Sequence, residues 1–179
     1  MDAVELKTKR LVLRPFSLAD VEDVFEYATS PGWGKYLLRP PKPYMRRDAE
    51  ESVARSLLMP WDSHPRFAMV LDGKVIGSIS VRVEADNQRA EVSYSLSSYQ
   101  WGKGLMPEAL KGVLTWAFDA YNLRKVFARI HVDNKQSRRV AEKLGMKLEG
   151  ILRAHEVFVS GEEPSDVCYY GILWHELSA

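Results

Sequence analysis

The sequence predicts an α/β domain with a mixed central β-sheet. Runs of alternating apolar residues, typical of strands, are separated by segments in which apolar residues recur at helical spacing. The segment from residue 90 to residue 132 has the order strand, helix, strand, which places its two strands parallel with a right-handed connection. The predicted order of elements is β-α-α-β-β-β-α-β-α-β-β.

The first third of the chain is predicted to form one short strand and two helices. "RLVLRPF" is a strand that ends at Pro15, because proline has no N–H to donate to a neighbouring strand. "SLADVEDVFEYATS" has its apolar residues on one helical face, with Ser17 as the expected N-cap. After a loop rich in glycine and proline, "RDAEESVARSLLM" is the second helix, with Asp48 as its expected cap.

The rest of the chain alternates between strands and helices. "RFAMVLDGKVIGSISVRVE" is predicted as two strands joined at Asp72-Gly73, and "RAEVSYSL" is the next strand. A helix is expected from about Pro107 to Tyr121, with Pro107 in its first position. "RKVFARIHV" is a strand, "NKQSRRVAEKLG" a short helix that Gly145 ends, and two strands around a polar turn finish the chain.

Composition limits the classes of function. With 179 residues, 46% of them hydrophobic, the chain predicts a single domain over residues 1–179. The net charge of +1 gives no indication of a nucleic-acid partner, and no apolar run is long enough for a membrane span. Cys168 is the only cysteine, so no internal disulfide and no cysteine-based metal site is expected. We expect a cytoplasmic protein without a bound metal.

The stretch "SYQWGKGLMPEAL" places two glycines immediately before a predicted helix. It matches neither the Walker A loop nor the dinucleotide-binding fingerprint, which would need glycine where Pro107 stands. Gly102 and Gly104 nevertheless leave free backbone N–H groups at the helix start, and Lys103 adds a positive charge, so an anion site is one interpretation. A tight turn with a solvated lysine is the alternative.

A second group of polar residues follows the next strand. In "VDNKQSRRVAEKLGM", Asn134 ends the predicted parallel strand and Ser137 lies in the first turn of the helix after it. Ligands collect at the carboxyl ends of parallel strands, so both side chains are candidates to face the glycine stretch. Alternatively, Asn134 is only an N-cap and Ser137 only bonds local backbone.

Taken together, these segments resemble the GNAT N-acetyltransferases, in particular the Rim-type branch that acetylates N-termini of ribosomal proteins. "TKRLVLRPFSLAD", "AEVSYSLSSYQWGKGLMPEAL", "VDNKQSRRVAEKLGMKLEGILR" and "SDVCYYGILW" have the order and spacing of that family. The resemblance implies a GNAT fold, with the two parallel strands splayed apart to admit acetyl-CoA. Ser93 and Ser95 are polar where a continuous buried strand would be apolar, which agrees with such a gap.

The resemblance also implies which residues hold acetyl-CoA. The six residues aligned with the pyrophosphate loop of the family are Trp101, Gly102, Lys103, Gly104, Leu105 and Met106. Trp101 replaces the usual glutamine or arginine, and Met106 replaces a small residue. The pantetheine arm would pair with the strand at Leu96, and Asn134 and Ser137 would contact it from the neighbouring connection.

The implied reaction is direct attack of an amine on a thioester. A backbone N–H near Leu96 is the natural donor to the developing oxyanion. Glu156 is the first candidate for the base and Glu91 the second, and either can act through a water. Ser137 would position the departing thiolate and relay a proton. His131 and His155 are further possible bases, but alternation along their strands is expected to direct them away from the site.

The acceptor implied by the branch is a protein N-terminal α-amine. A small amine, such as a polyamine, an amino-acid derivative or an antibiotic, is the alternative, and a CoA-binding regulatory module without chemistry is the alternative of another class. Trp33 and Tyr36 lie on the glycine- and proline-rich loop. They are expected to line the acceptor pocket, or else to seal the edge of the core. A monomer and a homodimer both remain open.

Overall fold

The computed structural model describes residues 2–158 and 163–177, which form four α-helices and eight β-strands. The helices are α1 (Val21–Ala28), α2 (Arg46–Leu58), α3 (Leu105–Ala120) and α4 (Lys135–Lys143). The strands are β1 (Leu6–Lys7), β2 (Val12–Pro15), β3 (Arg66–Leu71), β4 (Lys74–Glu84), β5 (Arg89–Leu96), β6 (Lys125–His131), β7 (Lys147–Glu156) and β8 (Ser165–Leu173).

All eight strands join one mixed sheet, in the order β1-β2-β3-β4-β5-β6-β8-β7. Only β5 and β6 are parallel, and α3 is the helix that connects them, as the sequence predicts. The sequence prediction missed β1, a two-residue strand that pairs with β2 through Leu6 and Lys7. The sheet draws strands from the whole described chain.

The parallel pair is splayed, and this gap is the feature of the fold that matters most for the site. β5 and β6 pair only through Arg89, Ala90 and Glu91 with residues 125–127. Beyond Glu91, β5 stays paired with β4 up to Leu96, whereas β6 stays paired with β8 up to His131. The two halves of the sheet therefore separate at the carboxyl ends of the parallel strands.

The two faces of the sheet are covered by different helices. On one face α3 packs its apolar side, with Leu110, Val113 and Leu114 fully buried, and Ala141 of α4 joins the same cluster. On the other face α1 and α2 bury Val24 and Val53 in a second, smaller cluster.

Helix starts differ from the sequence prediction. α3 begins at Leu105, so Pro107 is its third residue and not its first. α1 follows a 3₁₀ turn, in which the Asp20 carboxylate accepts the Ser17 N–H at 2.7 Å. Asp48 is the third residue of α2 and accepts the Met45 N–H at 2.6 Å. At the start of both α1 and α2, an aspartate carboxylate accepts a backbone N–H from three residues earlier. That bond satisfies the backbone ahead of each helix, and α2 accordingly begins before the residue that the sequence prediction chose as its cap.

Two further sequence predictions concern the turn between the final two strands and the absence of a membrane span. The polar turn expected between the final two strands includes residues 159–162, which lie outside the described residues. In the described part of the chain, no helix has the length and apolar character required to cross a bilayer.

Candidate active site

A cavity of about 340 Å³ lies at the gap between β5 and β6. Its wall combines the start of α3, the start of α4, the end of β5 and the segment after α1. Ten of the residues predicted from the sequence line it: Trp33, Tyr36, Leu96, Trp101, Gly102, Gly104, Leu105, Met106, Asn134 and Ser137. Segments that are far apart in sequence therefore meet at one site.

The glycine loop presents free backbone donors to this cavity. Gly102 and Gly104 have φ of 78° and 73°, values that favour glycine, and a Cβ at Gly102 would meet nothing within 4 Å. No described residue accepts the backbone N–H groups of residues 102–104. The first N–H groups of α3 add to them, so the loop and the helix dipole form a cradle for an anion.

The two departures from the family's loop pattern do not block this cradle. The Met106 side chain is buried in the core cluster around α3, and Met106 also contributes to the cavity wall. The Trp101 indole Nε1 donates to the Leu96 carbonyl oxygen at 3.0 Å, which fixes the loop to the end of β5. The Lys103 side chain lies outside the cavity lining, and its Nζ donates to Gln100 Oε1 at 2.9 Å.

The backbone at the end of β5 offers a donor in the gap. Ser97 N–H bonds to the Ile76 carbonyl on β4 at 2.8 Å. Because successive N–H groups along a strand point to opposite edges, the Leu96 N–H points away from β4, toward the side that β6 has left. This N–H matches the donor that the sequence predicts near Leu96.

Asn134 and Ser137 form the opposite wall, together with a tyrosine that sequence reasoning did not single out. Asn134 is the N-cap of α4, and its Oδ1 accepts the Ser137 N–H at 3.1 Å. The Ser137 hydroxyl lies 2.7 Å from the Tyr94 hydroxyl. Burial raises the pKa of Tyr94 to about 12, so this phenol stays protonated at neutral pH. Tyr94 and Ser137 both line the cavity.

The two candidate bases lie outside the cavity lining and are joined by an arginine. Arg129 Nε donates to Glu91 Oε1 at 2.7 Å, and Arg129 Nη1 donates to Glu156 Oε1. Arg82 takes the second oxygen of Glu91, whereas Glu156 keeps Oε2 without a partner among the described residues. The Glu156 side chain is also more exposed, 22% against 11% for Glu91.

Histidine 131 lies closer to the site than the sequence predicts. It shares a face of β6 with Arg129, and its ring is 4.9 Å from the ring of Tyr36, which lines the cavity. Its Nδ1 accepts the Asp133 N–H at 3.0 Å. His131 is therefore a neighbour of the cavity wall.

Comparison with known proteins decides the family. The family model for the acetyltransferase (GNAT) domain matches residues 10–147 of the chain. The chain belongs to the GNAT acetyltransferase family. As a GNAT protein it is an acetyl-CoA-dependent N-acetyltransferase. Its fold is also that of an acetyltransferase (GNAT family) from Bacillus anthracis, which is 26% identical, has a TM-score of 0.83, and aligns over 97% of this chain and 100% of the other.

Relatives of this GNAT enzyme differ in the substrates that their names state. It is 31% identical to the uncharacterized N-acetyltransferase YoaA of Bacillus subtilis (strain 168), over 94% of this chain and 96% of that protein. It is 30% identical to the ribosomal-protein-serine acetyltransferase of Escherichia coli (strain K12), over 61% and 62%. It is 32% identical to the spermidine N(1)-acetyltransferase of the same strain, over 56% and 54%. The comparison leaves the acceptor amine undecided.

The residues of this GNAT site suit acetyl-CoA. The loop cradle offers N–H donors to a pyrophosphate, and Arg139 and Lys143 add two cations to the cavity wall. The Leu96 N–H is free to pair with a carbonyl of a pantetheine arm, whereas the Leu96 carbonyl oxygen already accepts from Trp101 Nε1. Among the described residues, no cluster of three or more side chains suited to a metal ion occurs.

Proposed function

We propose that this enzyme transfers the acetyl group of acetyl-CoA to the α-amine of a protein N-terminus. The observation that supports the proposal is the gap between β5 and β6, because it joins the anion cradle on one side of the sheet to Glu156 and Glu91 on the other. The relationship to the E. coli ribosomal-protein-serine acetyltransferase supports a protein acceptor. A cytoplasmic location stays a prediction.

The donor half of the site would work through backbone and α4. The amides of residues 102–106 would hold the pyrophosphate, and the strand at Leu96 would align the pantetheine arm. Bound acetyl-CoA supplies an activated acetyl thioester. The Leu96 N–H would donate to the thioester oxygen as negative charge develops there, and a strand holds this donor in place beforehand.

The acceptor half would work through Glu156. An incoming ammonium must lose a proton before its nitrogen can form the new C–N bond. Glu156 has an oxygen without a partner among the described residues, whereas both oxygens of Glu91 are held by arginines. Since Glu156 lies outside the cavity lining, a water would carry the proton between amine and carboxylate. Glu91 would brace Arg129, which positions Glu156.

Ser137 would serve the departing sulfur. As the C–S bond breaks, the Ser137 hydroxyl would donate to the thiolate, while Tyr94 holds the serine from the other side. Tyr94 is a weaker acid than the thiol of CoA. Its pKa is raised to about 12, whereas an ordinary thiol has a pKa of roughly 8.5. The thiolate therefore takes its final proton from solvent rather than from Tyr94.

A turnover screen tests the proposed acceptor. The protein is incubated with acetyl-CoA and either N-terminal peptides or small amines, including spermidine, and free thiol is measured. We expect release with peptides and a dependence on the first residue, since that residue adjoins the reacting amine. Release with spermidine or another small amine alone would overturn the proposed acceptor. Acetylated peptides identified by mass should carry the group on the α-nitrogen.

A further inference from the structure

The segment that leads from α1 into the first two residues of α2 has an unusual charge. Residues 31–47 contain no aspartate or glutamate, although the whole chain is nearly neutral at +1. The five charged residues of the segment are all basic and all exposed: Lys35, Arg39, Lys42, Arg46 and Arg47. We call this stretch the basic rim.

Most of these cations have no carboxylate to neutralise them. Arg46 forms ion pairs with Glu22 of α1 and with Glu50, one turn further along α2. Among the described residues, no salt bridge involves the other four, and Lys35 Nζ only sits over the Tyr36 ring, 4.9 Å from its centroid. The rim therefore keeps a positive potential that an approaching ligand will meet.

The basic rim borders the cavity. Trp33, Tyr36 and Leu37, from the same segment, line the cavity wall. The Arg39 N–H donates to the Phe158 carbonyl oxygen at 2.7 Å, which ties the rim to the end of the final hairpin. The rim therefore adjoins both the cavity wall and the residues that follow β7, the strand that ends at Glu156.

Another arginine, Arg66, lies on the face of the sheet that α1 and α2 cover. Arg66 pairs in register with Ser80 of β4, which pairs with Ser93 of β5, so the three side chains form a polar row toward the gap. In the described chain Arg66 has no carboxylate partner, and its one recorded hydrogen bond goes to Ser52 Oγ at 3.3 Å. Its guanidinium carbon also lies 5.5 Å from the centroid of the Phe16 ring, and desolvation by burial lowers its pKa, so an approaching ligand meets the basic rim before it meets Arg66.

Near the reaction centre, unlike on the basic rim, positive and negative side chains balance each other. Glu91 and Glu156 are compensated by Arg82 and Arg129, so this cluster offers no excess negative charge. A polyamine carries several positive charges and would need a surplus of carboxylates along its path. The described residues do not provide such a surplus. The reaction centre is neutral, and the basic rim beside it carries cations without a carboxylate partner.

We propose that the acceptor is an acidic peptide, whose N-terminal amine enters the gap while carboxylates of its following residues lie along the basic rim. This inference rests on the proposed function and specifies its substrate class. Extended peptide advances roughly 3.3 Å per residue, so residues three to six of the acceptor would leave the gap and reach the rim. Opposite charges there would raise the association rate more than they change the chemical step.

Peptides that differ only in charge test this inference. Three peptides share their first three residues and continue with three glutamates, three glutamines or three lysines. We expect kcat/KM to fall in that order, by roughly tenfold or more from glutamate to lysine at low salt, and the difference to shrink as salt screens the charges. Spermidine should react more slowly than the glutamine peptide.

Paired variants identify the rim as the source of the preference. Arg39→Gln combined with Lys42→Gln should bring the ratio of kcat/KM for the glutamate and glutamine peptides toward one. Lys111→Gln removes an equally exposed cation from α3, on the opposite face of the sheet, and should leave that ratio unchanged. An unchanged ratio in the rim variant would assign the preference elsewhere and overturn the role of the rim.

The outcomes separate this inference from the proposed function. Equal kcat/KM for all three peptides would overturn the acidic acceptor and leave a protein N-terminus as substrate. Reaction with small amines but no peptide would overturn both. Fluorescence anisotropy of the labelled peptides in the presence of CoA measures their binding, which does not depend on the rate of turnover. Equal Kd values for the three peptides would count against the acidic acceptor.

Discussion

The hydroxyl groups of Tyr94 and Ser137 lie 2.7 Å apart and join β5 to α4 across the cavity. Tyr94 Oη is also 3.2 Å from the Ser137 carbonyl oxygen, so one phenol contacts both the side chain and the backbone of this serine. The contact spans the place where β5 and β6 no longer pair. It therefore fixes Ser137 at a point where the sheet itself provides no support.

Replacing Tyr94 by phenylalanine should lower turnover while leaving acetyl-CoA affinity nearly unchanged. The ring would still fill its buried position, and only the bond that orients Ser137 would be lost. Loss of one such bond, worth about 1.4 kcal/mol, corresponds to a roughly tenfold fall in kcat. Steady-state kinetics of Tyr94→Phe, Ser137→Ala and the double variant measure this fall in kcat. If the two effects simply multiply, the two hydroxyls do not act as a unit.

The same tyrosine gives an expectation for pH. Because burial raises the pKa of Tyr94 to about 12, its ionisation lies above the range in which the enzyme is assayed. The profile of kcat between about pH 6 and pH 10 should therefore have the same shape in the wild type and in Tyr94→Phe. A basic limb that is present in the wild type and missing from the variant would show that Tyr94 titrates during turnover.

The two candidate carboxylates should respond differently to substitution. Glu156→Gln should lower kcat by roughly 10² or more, the usual contribution of a general base. Glu91→Gln should act mainly on stability, because Arg82 and Arg129 hold both oxygens of Glu91. Glu149→Gln is the matched control, since Glu149 also lies on β7 but pairs with Lys125. A larger loss of kcat in Glu91→Gln than in Glu156→Gln would reverse the assignment.

Gly104 and Gly73 allow backbone strain to be separated from ligand binding. Both have positive φ, 73° and 83°, so valine at either position should cost about 1–3 kcal/mol of stability. Gly73 lies in the β3–β4 turn, where an added Cβ atom would meet nothing within 4 Å, whereas Gly104 precedes α3 in the cavity wall. Calorimetric titration with CoA should give at least a roughly tenfold weaker Kd for Gly104→Val alone. Equal affinity in both variants would reduce the glycine loop to a turn.

The ion pair between Asp20 and Arg14 should make stability depend on pH. Burial opposes ionisation of Asp20, but hydrogen bonds from Arg14 and Ser17 outweigh it, so the pKa lies below the ordinary 3.8. A carboxylate with a lowered pKa stabilises the fold above its unfolded pKa, and this contribution is lost as pH falls through the folded value.

Urea denaturation of the wild type and Asp20→Asn measures this contribution. At neutral pH the variant should be less stable by about 2 kcal/mol, since it leaves a partly buried arginine without its partner. The difference should shrink below about pH 4, where Asp20 begins to be protonated. A difference that stays constant down to pH 2 would show that the carboxylate's charge is not the source of the stability.

Local patterns were predictable where neighbours in sequence decide them. The Asp72-Gly73 hairpin, β5 and the Gly145 helix end were predicted because each depends on a few adjacent residues. The start of α3 was placed two residues too late, at Pro107, because proline suits the first turn of a helix at more than one position. β1 was missed because two residues are too few for a periodic pattern.

The α/β class, the strand–helix–strand unit and the glycine loop with its free N–H groups follow from the amino-acid order, because periodicity and glycine backbone freedom are local properties. The contact of Tyr94 with Ser137 across 43 residues, and the link that Arg129 makes between Glu91 and Glu156, become visible only in the folded chain. Such contacts depend on how far β5 and β6 separate and on which side chains then face the gap. That geometry results from the packing of the whole sheet against its helices, and no single segment contains it.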